Sequence, residues 1–119
     1  MTEETNPARI LVIDDDWINR ELMQTVLKRA GYSVQTCSTG ERGIQLVGEA
    51  PPDMVIVDLR LGDMNGLEVV ERMRAMPGRR IPIVVMSALE GEQVKRDAIA
   101  AGSDLFISKI FAVGDLIGQ

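Results

Sequence analysis

Three wholly apolar tetrapeptides, each followed by a longer stretch of helical period, constrain this chain more than any other feature. Residues 10–13 (Ile-Leu-Val-Ile), 54–57 (Met-Val-Ile-Val) and 83–86 (Ile-Val-Val-Met) are continuous apolar runs. That is the pattern of strands covered on both faces, not the alternation of a half-exposed sheet. Residues 105–108 read as a further strand, and the more polar Ser33-Val-Gln-Thr-Cys37 as one nearer an edge.

Between them lie amphipathic helices. The first places Ile18, Leu22, Val26 and Leu27 on one stripe and ends at Ala30-Gly31, glycine being the favoured residue just past a helix end. Ser38-Thr-Gly-Glu41 has the spacing of a capping box, opening a helix through Ile44 and Val47 that Pro51-Pro52 stops. Leu67, Val70 and Met73 align on the next, and Val94, Ala98 and Ala101 on another that Gly102 closes. Only residues 113–117 remain for a last helix of about one turn. Five β–α units in strict alternation predict an α/β fold, an open parallel sheet with helices on both faces.

At 119 residues the chain makes one domain with a core that needs no staples. Residues 1–8 read as a polar tail and 9–119 as the domain. No apolar run approaches a membrane span, and the acidic N-terminus has no signal-peptide pattern, so a cytoplasmic setting is expected. Composition then excludes whole classes of chemistry. With no histidine there is no His-based triad or His-ligated zinc, and the lone Cys37 cannot form an internal disulfide. A formal charge of −5 and four aromatic residues argue against nucleic-acid binding.

What remains sits at the strand ends, where open parallel sheets gather their functional residues. Strand one runs into Asp14-Asp15-Asp16, strand three into Asp58, strand four into Ser87-Ala88 and strand five into Ser108-Lys109. The three adjacent acids can cap the following helix, and Asp16 suits that role. Capping does not account for three carboxylates that repel one another, which a divalent cation would relieve. With Asp58 they make an oxygen-only set suited to Mg²⁺ and lacking EF-hand spacing. Lys109 and Ser87 can form an ion pair and a helix cap, or, with a cation, a three-sided clamp for a phosphoryl group.

Ile13-Asp14-Asp15, Val57-Asp58 with Met64-Asn65-Gly66 downstream, Met86-Ser87-Ala88 and Lys109, in that order, resemble a response-regulator receiver domain, the phosphoacceptor of two-component signalling. The resemblance runs from Arg9 to Phe111. It implies a flavodoxin-like five-stranded sheet in the order 2-1-3-4-5, here with a truncated last helix. It also implies that Asp58 accepts a phosphoryl group from a histidine kinase or phosphotransfer protein. Asp14, Asp15, Asp58 and the backbone carbonyl of Arg60 would hold Mg²⁺. Lys109, the Ser87 hydroxyl and the Ala88 amide would contact the phosphoryl oxygens. On phosphorylation Ser87 would move inward and Phe106 fill the space it leaves. The family further implies a homodimer through the helix 4/strand 5/helix 5 face, no direct DNA contact by this domain, and no turnover of a separate substrate.

Three positions depart from the family pattern. Ile110 follows Lys109 where proline with a cis peptide is usual. A cis bond costs about 2.5–4 kcal/mol before a non-proline residue, so a trans peptide and a displaced Lys109 loop are expected. Gly62 replaces a common proline, and Phe106 a common tyrosine. Two alternatives stand beside this reading: a pseudo-receiver that binds partners without phosphorylation, and an Asp-nucleophile phosphohydrolase. The latter would want a second acid two residues after Asp58, where the chain has Arg60.

Overall fold

The computed structural model describes residues 7–88 and 91–108. Along the chain run β1 (Arg9–Ile13), α1 (Trp17–Arg29), β2 (Ser33–Cys37), α2 (Gly40–Glu49), β3 (Met54–Asp58), α3 (Gly66–Arg74), β4 (Ile83–Ser87), α4 (Glu92–Ala101) and β5 (Leu105–Ser108). All neighbouring strands are parallel, in the order β2-β1-β3-β4-β5. The expected α/β architecture and strand order are present, with the polar β2 at an edge. Lys109, its peptide to Ile110 and the expected one-turn last helix lie outside the described residues.

Side chains alternate across a strand, so the sheet has two apolar layers. Leu11, Ile13, Val55, Val57, Ile83 and Val85 pack with Val47, Val69, Val70, Met73 and Ala98, joining the sheet to α2, α3 and α4. The even-numbered Ile10, Val12, Ile56, Val84 and Met86 pack with Met23 and Leu27 of α1 on the other face. Register is tight. Ile13 lies opposite Val57, and Asp58 lies opposite Met86. Asp14 and Asp58 therefore emerge together, with Ser87 one step beyond on the next strand.

Two local expectations need correction. The buried residues of α1 are Asn19 and Met23, while Ile18 is 65% exposed. With Asp16 as N-cap, accepting from the Ile18 amide at 3.0 Å, the sheet-facing stripe is 19-23-27, and Ile18 falls outside it. The N-cap of α2 is Thr39, not Ser38: its hydroxyl accepts from the Arg42 amide at 3.1 Å. Glu41 pairs instead with Arg72 of α3 at 3.0 Å. Arg79 and Arg80, in the turn before β4, both pair with acids. Arg79 donates to the Pro52 carbonyl and lies 3.5 Å from Asp53, and Arg80 lies 2.6 Å from Asp104.

Asp104 closes the lower end of the sheet. Its carboxylate accepts from the Ile83 amide (2.8 Å), Arg74 (2.7 Å) and Arg80, tying the α3 end and the start of β4 to the α4–β5 turn. Partial burial pushes this carboxyl up, but the Ile83 amide and the two guanidiniums outweigh it and hold it below its ordinary value. A carboxyl depressed on folding contributes stability that is complete above its unfolded pKa of about 4 and lost as the pH falls below it. Asp104→Asn should therefore cost about 1–2 kcal/mol at pH 7 and progressively less toward pH 3. Denaturant unfolding at the two pH values checks this, and a pH-independent cost would contradict it.

Candidate metal and phosphoacceptor site

The order β2-β1-β3 reverses direction between β1 and β3, and a crevice opens there beyond the carboxyl ends of the strands. Asp14, Asp15 and Asp58 converge on it, each offering a carboxylate oxygen within 4.8 Å of the others. Asp14 and Asp58 are buried and Asp15 is exposed. Two buried acids with one open to solvent suit a cation that keeps part of its water shell, as Mg²⁺ does.

Asp14 is built in from several directions. Its amide donates to the Cys37 carbonyl at 3.1 Å, extending the β1–β2 ladder past the strand end. One carboxylate oxygen accepts from the Asp16 amide at 3.0 Å, the other from the side-chain amide of Asn19. Arg20 donates to the Asp14 carbonyl at 2.8 Å. An apolar stripe does not reveal Asn19 and Arg20, because the end of the α1 face nearest the acids is polar. The signal was available: Asn19 lies four residues before the buried Met23, on the same stripe.

Asp58 ends β3, and the turn into α3 fixes its position. The Leu59 amide donates to the Met86 carbonyl at 2.8 Å, and the chain then folds back so that the Gly66 amide reaches the Leu59 carbonyl at 2.7 Å. Arg60 and Asn65 form an antiparallel bridge across the turn, and the Arg60 amide lies 3.4 Å from a carboxylate oxygen of Asp58. Asn65 caps α3, accepting from the Leu67 amide at 2.7 Å. A side chain on Gly66 would run into the Asp58 carbonyl and come within 2.8 Å of the Leu59 Cα, so only glycine lets the turn close on the strand. Beside Asp15 this turn walls a cleft of about 410 Å³, lined by Leu59, Arg60, Leu61, Met64 and Asn65.

Ser87 is buried at the end of β4, and Ala88 follows it, exposed. Phe106 sits opposite Val85 on β5, half-buried against the α2–α4 core layer. Trp17 is 63% exposed at the start of α1, near the acids and not packed under the helix. Cys37 is half-buried, and burial pushes its thiol up to about 11, which suits an inert strand residue.

Substitutions at two positions probe this arrangement. Asn19→Ala removes a donor from a buried Asp14 oxygen and should destabilise the fold by about 1–3 kcal/mol in denaturant unfolding. Asn19→Asp, which puts a like charge against Asp14, should cost more at pH 7 than Asn19→Ala. Gly66→Ala should cost about 1–3 kcal/mol through backbone displacement, and heteronuclear NMR should show shifts centred on residues 58–66. Unchanged spectra there would sink the close-approach argument.

The receiver-domain family model of response regulators matches residues 10–119. The chain is 34% identical over 113 residues to the response regulator MprA of Mycolicibacterium vanbaalenii, covering 95% of this chain and 48% of that protein. It is 33% identical over 109 residues to the KDP operon transcriptional regulatory protein KdpE of Escherichia coli, covering 92% and 48%. It thus spans about half the length of these curated relatives. Among solved structures, a protein of Chloroflexus aurantiacus described as a response regulator superposes with a TM-score of 0.82 at 26% identity, covering 95% of this chain and 99% of that one. With the ordered strand-end residues and the 2-1-3-4-5 sheet, these matches show that the chain belongs to the response-regulator receiver domain family of two-component signalling.

Proposed function

We propose that this receiver takes a phosphoryl group on Asp58 from a histidine kinase or phosphotransfer protein, in a Mg²⁺-dependent reaction, and signals through the resulting change of conformation. The observation that carries the reading is the convergence of Asp14, Asp15 and Asp58 at the sheet's reversal point, with Ser87 at the adjoining strand end. An Asp58 carboxylate oxygen attacks the phosphorus of the donor. The P–N bond to the donor imidazole breaks, its electron pair leaves with the nitrogen, and an aspartyl phosphate results.

Asp14, Asp15, Asp58 and the Arg60 carbonyl would hold Mg²⁺, whose charge would offset that of the phosphoryl oxygens. Asn19 and the Asp16 amide orient Asp14 for that task. Ser87, the Ala88 amide and Lys109 are assigned to the phosphoryl oxygens, with Lys109 resting on the sequence match. The new charge of about −1.5 to −2 beside Ser87 would draw its hydroxyl inward, with Phe106 following into the core.

Ile99 on α4 and Leu105 on β5 are each about half exposed, which supports self-association through that face. Among the described residues no helix is long and apolar enough to cross a membrane, in keeping with a cytoplasmic domain. The domain turns over no separate substrate, modifying only itself.

Incubation with Mg²⁺ and a small-molecule phosphodonor should add one phosphoryl group by intact mass, and Asp58→Asn should abolish it. An adduct that persists in Asp58→Asn would overturn the assignment. Trp17 emission should change on Mg²⁺ titration and stay flat in Asp15→Ala; a flat response in both would count against the metal site.

A further inference from the structure

We propose that Asp63 is a positioning residue for the phosphoacceptor turn: its carboxylate ties residues 59–65 to the start of α2 and so sets where Arg60 and the cleft wall stand beside Asp15. The inference rests on the reading of Asp58 as acceptor. Its two carboxylate oxygens accept separately from the Gly40 amide (2.9 Å) and the Glu41 amide (3.0 Å), across 23 and 22 residues of sequence. Burial pushes this carboxyl up, but those amides and the backbone of Asp63 and Met64 outweigh it and hold it below its ordinary value. It is therefore ionised at neutral pH, with both oxygens open as acceptors.

Helix capping alone is an insufficient explanation, because α2 already carries its own cap in Thr39. Asp63 takes the two amides that Thr39 leaves, and it comes from a different loop. The next residue reinforces the attachment: a Cβ on Gly40 would lie 2.6 Å from Met64 Cγ and Sδ, so Met64 occupies the space a side chain there would need. The turn requires such an anchor. Gly62 supplies none of the stiffness of proline, and a Cβ at that position would lie 3.7 Å from a carboxylate oxygen of Asp15. Any drift of the turn is thus drift of the cleft wall at Asp15. Removing a group that hydrogen-bonds a metal ligand typically costs tenfold or more in affinity or activity, and Asp63, which acts one step further out through the turn carrying Arg60, is set at the lower end of that range.

The decisive comparison is Asp63→Ala against Thr39→Ala, in the full chain. Both remove a cap from the same helix end, and both should lower the melting temperature in EDTA. Only Asp63→Ala should speed hydrogen exchange of the amides in residues 59–65 in EDTA, and only it should slow phosphorylation by a small phosphodonor, by about tenfold at saturating Mg²⁺. Asp63→Asn, which keeps one acceptor oxygen, should recover part of both. Equal effects of Asp63→Ala and Thr39→Ala on exchange and rate would reduce Asp63 to a cap and overturn the proposal, as would unchanged exchange and rate in Asp63→Ala. A wild-type chain that takes no phosphoryl group would refute Asp58 as acceptor, and the exchange comparison would still decide whether Asp63 holds the turn.

Discussion

Two carboxylates, Asp14 and Asp58, are buried side by side where an apolar sheet stops, and much of the surrounding structure serves to keep them there. Burying charge in a low-dielectric interior is costly, and placing like charges together adds to the cost. The protein answers with hydrogen bonds from one backbone and one side-chain donor and with a turn that closes over the second acid. The Asp16 amide and Asn19 serve Asp14, and the β3–α3 turn folds back over Asp58. A site assembled this way has its carboxylates held by hydrogen bonds already present in the fold, which is the preorganisation that electrostatic stabilisation relies on.

Parallel register delivers this at low cost in sequence. Once Ile13, Val57 and Val85 are paired, the residues after them are brought to one edge, whatever their own preferences. The apolar layers do the aligning and the polar residues ride at the ends. That separation lets the acids be chosen for chemistry while valine and isoleucine determine the fold. The same logic places Asp104 at the opposite edge, where it joins α3, β4 and the α4–β5 turn.

Much of this was legible in the chain. The apolar tetrapeptides marked the buried strands, and the residues that ended them included every member of the acidic cluster. Helix phase was harder to read. A stripe built from apolar residues alone put Ile18 inside and overlooked Asn19, because the face of α1 near the acids is polar where it serves Asp14. The α2 cap was displaced by one residue for a related reason: Ser38 and Thr39 are both good caps, and the start of α2 is fixed by contacts from afar, Gly40 lying against Met64 and Val69 and its amide bonded by Asp63. Arg79 and Arg80 carried no local sign of partners that lie 24 to 27 residues away.

The sequence by itself determined the alternation of elements, the buried character of the central strands and the acids at their ends. These depend on periodicity and on residue chemistry, which act over a few residues. Only the tertiary structure decided which amides receive those acids, because a hydrogen bond between Asp63 and Gly40 is a matter of how two loops meet, and nothing local to either encodes it. The carboxylates were written in the chain. Their alignment came from the sheet, and their restraint from contacts among residues far apart in sequence.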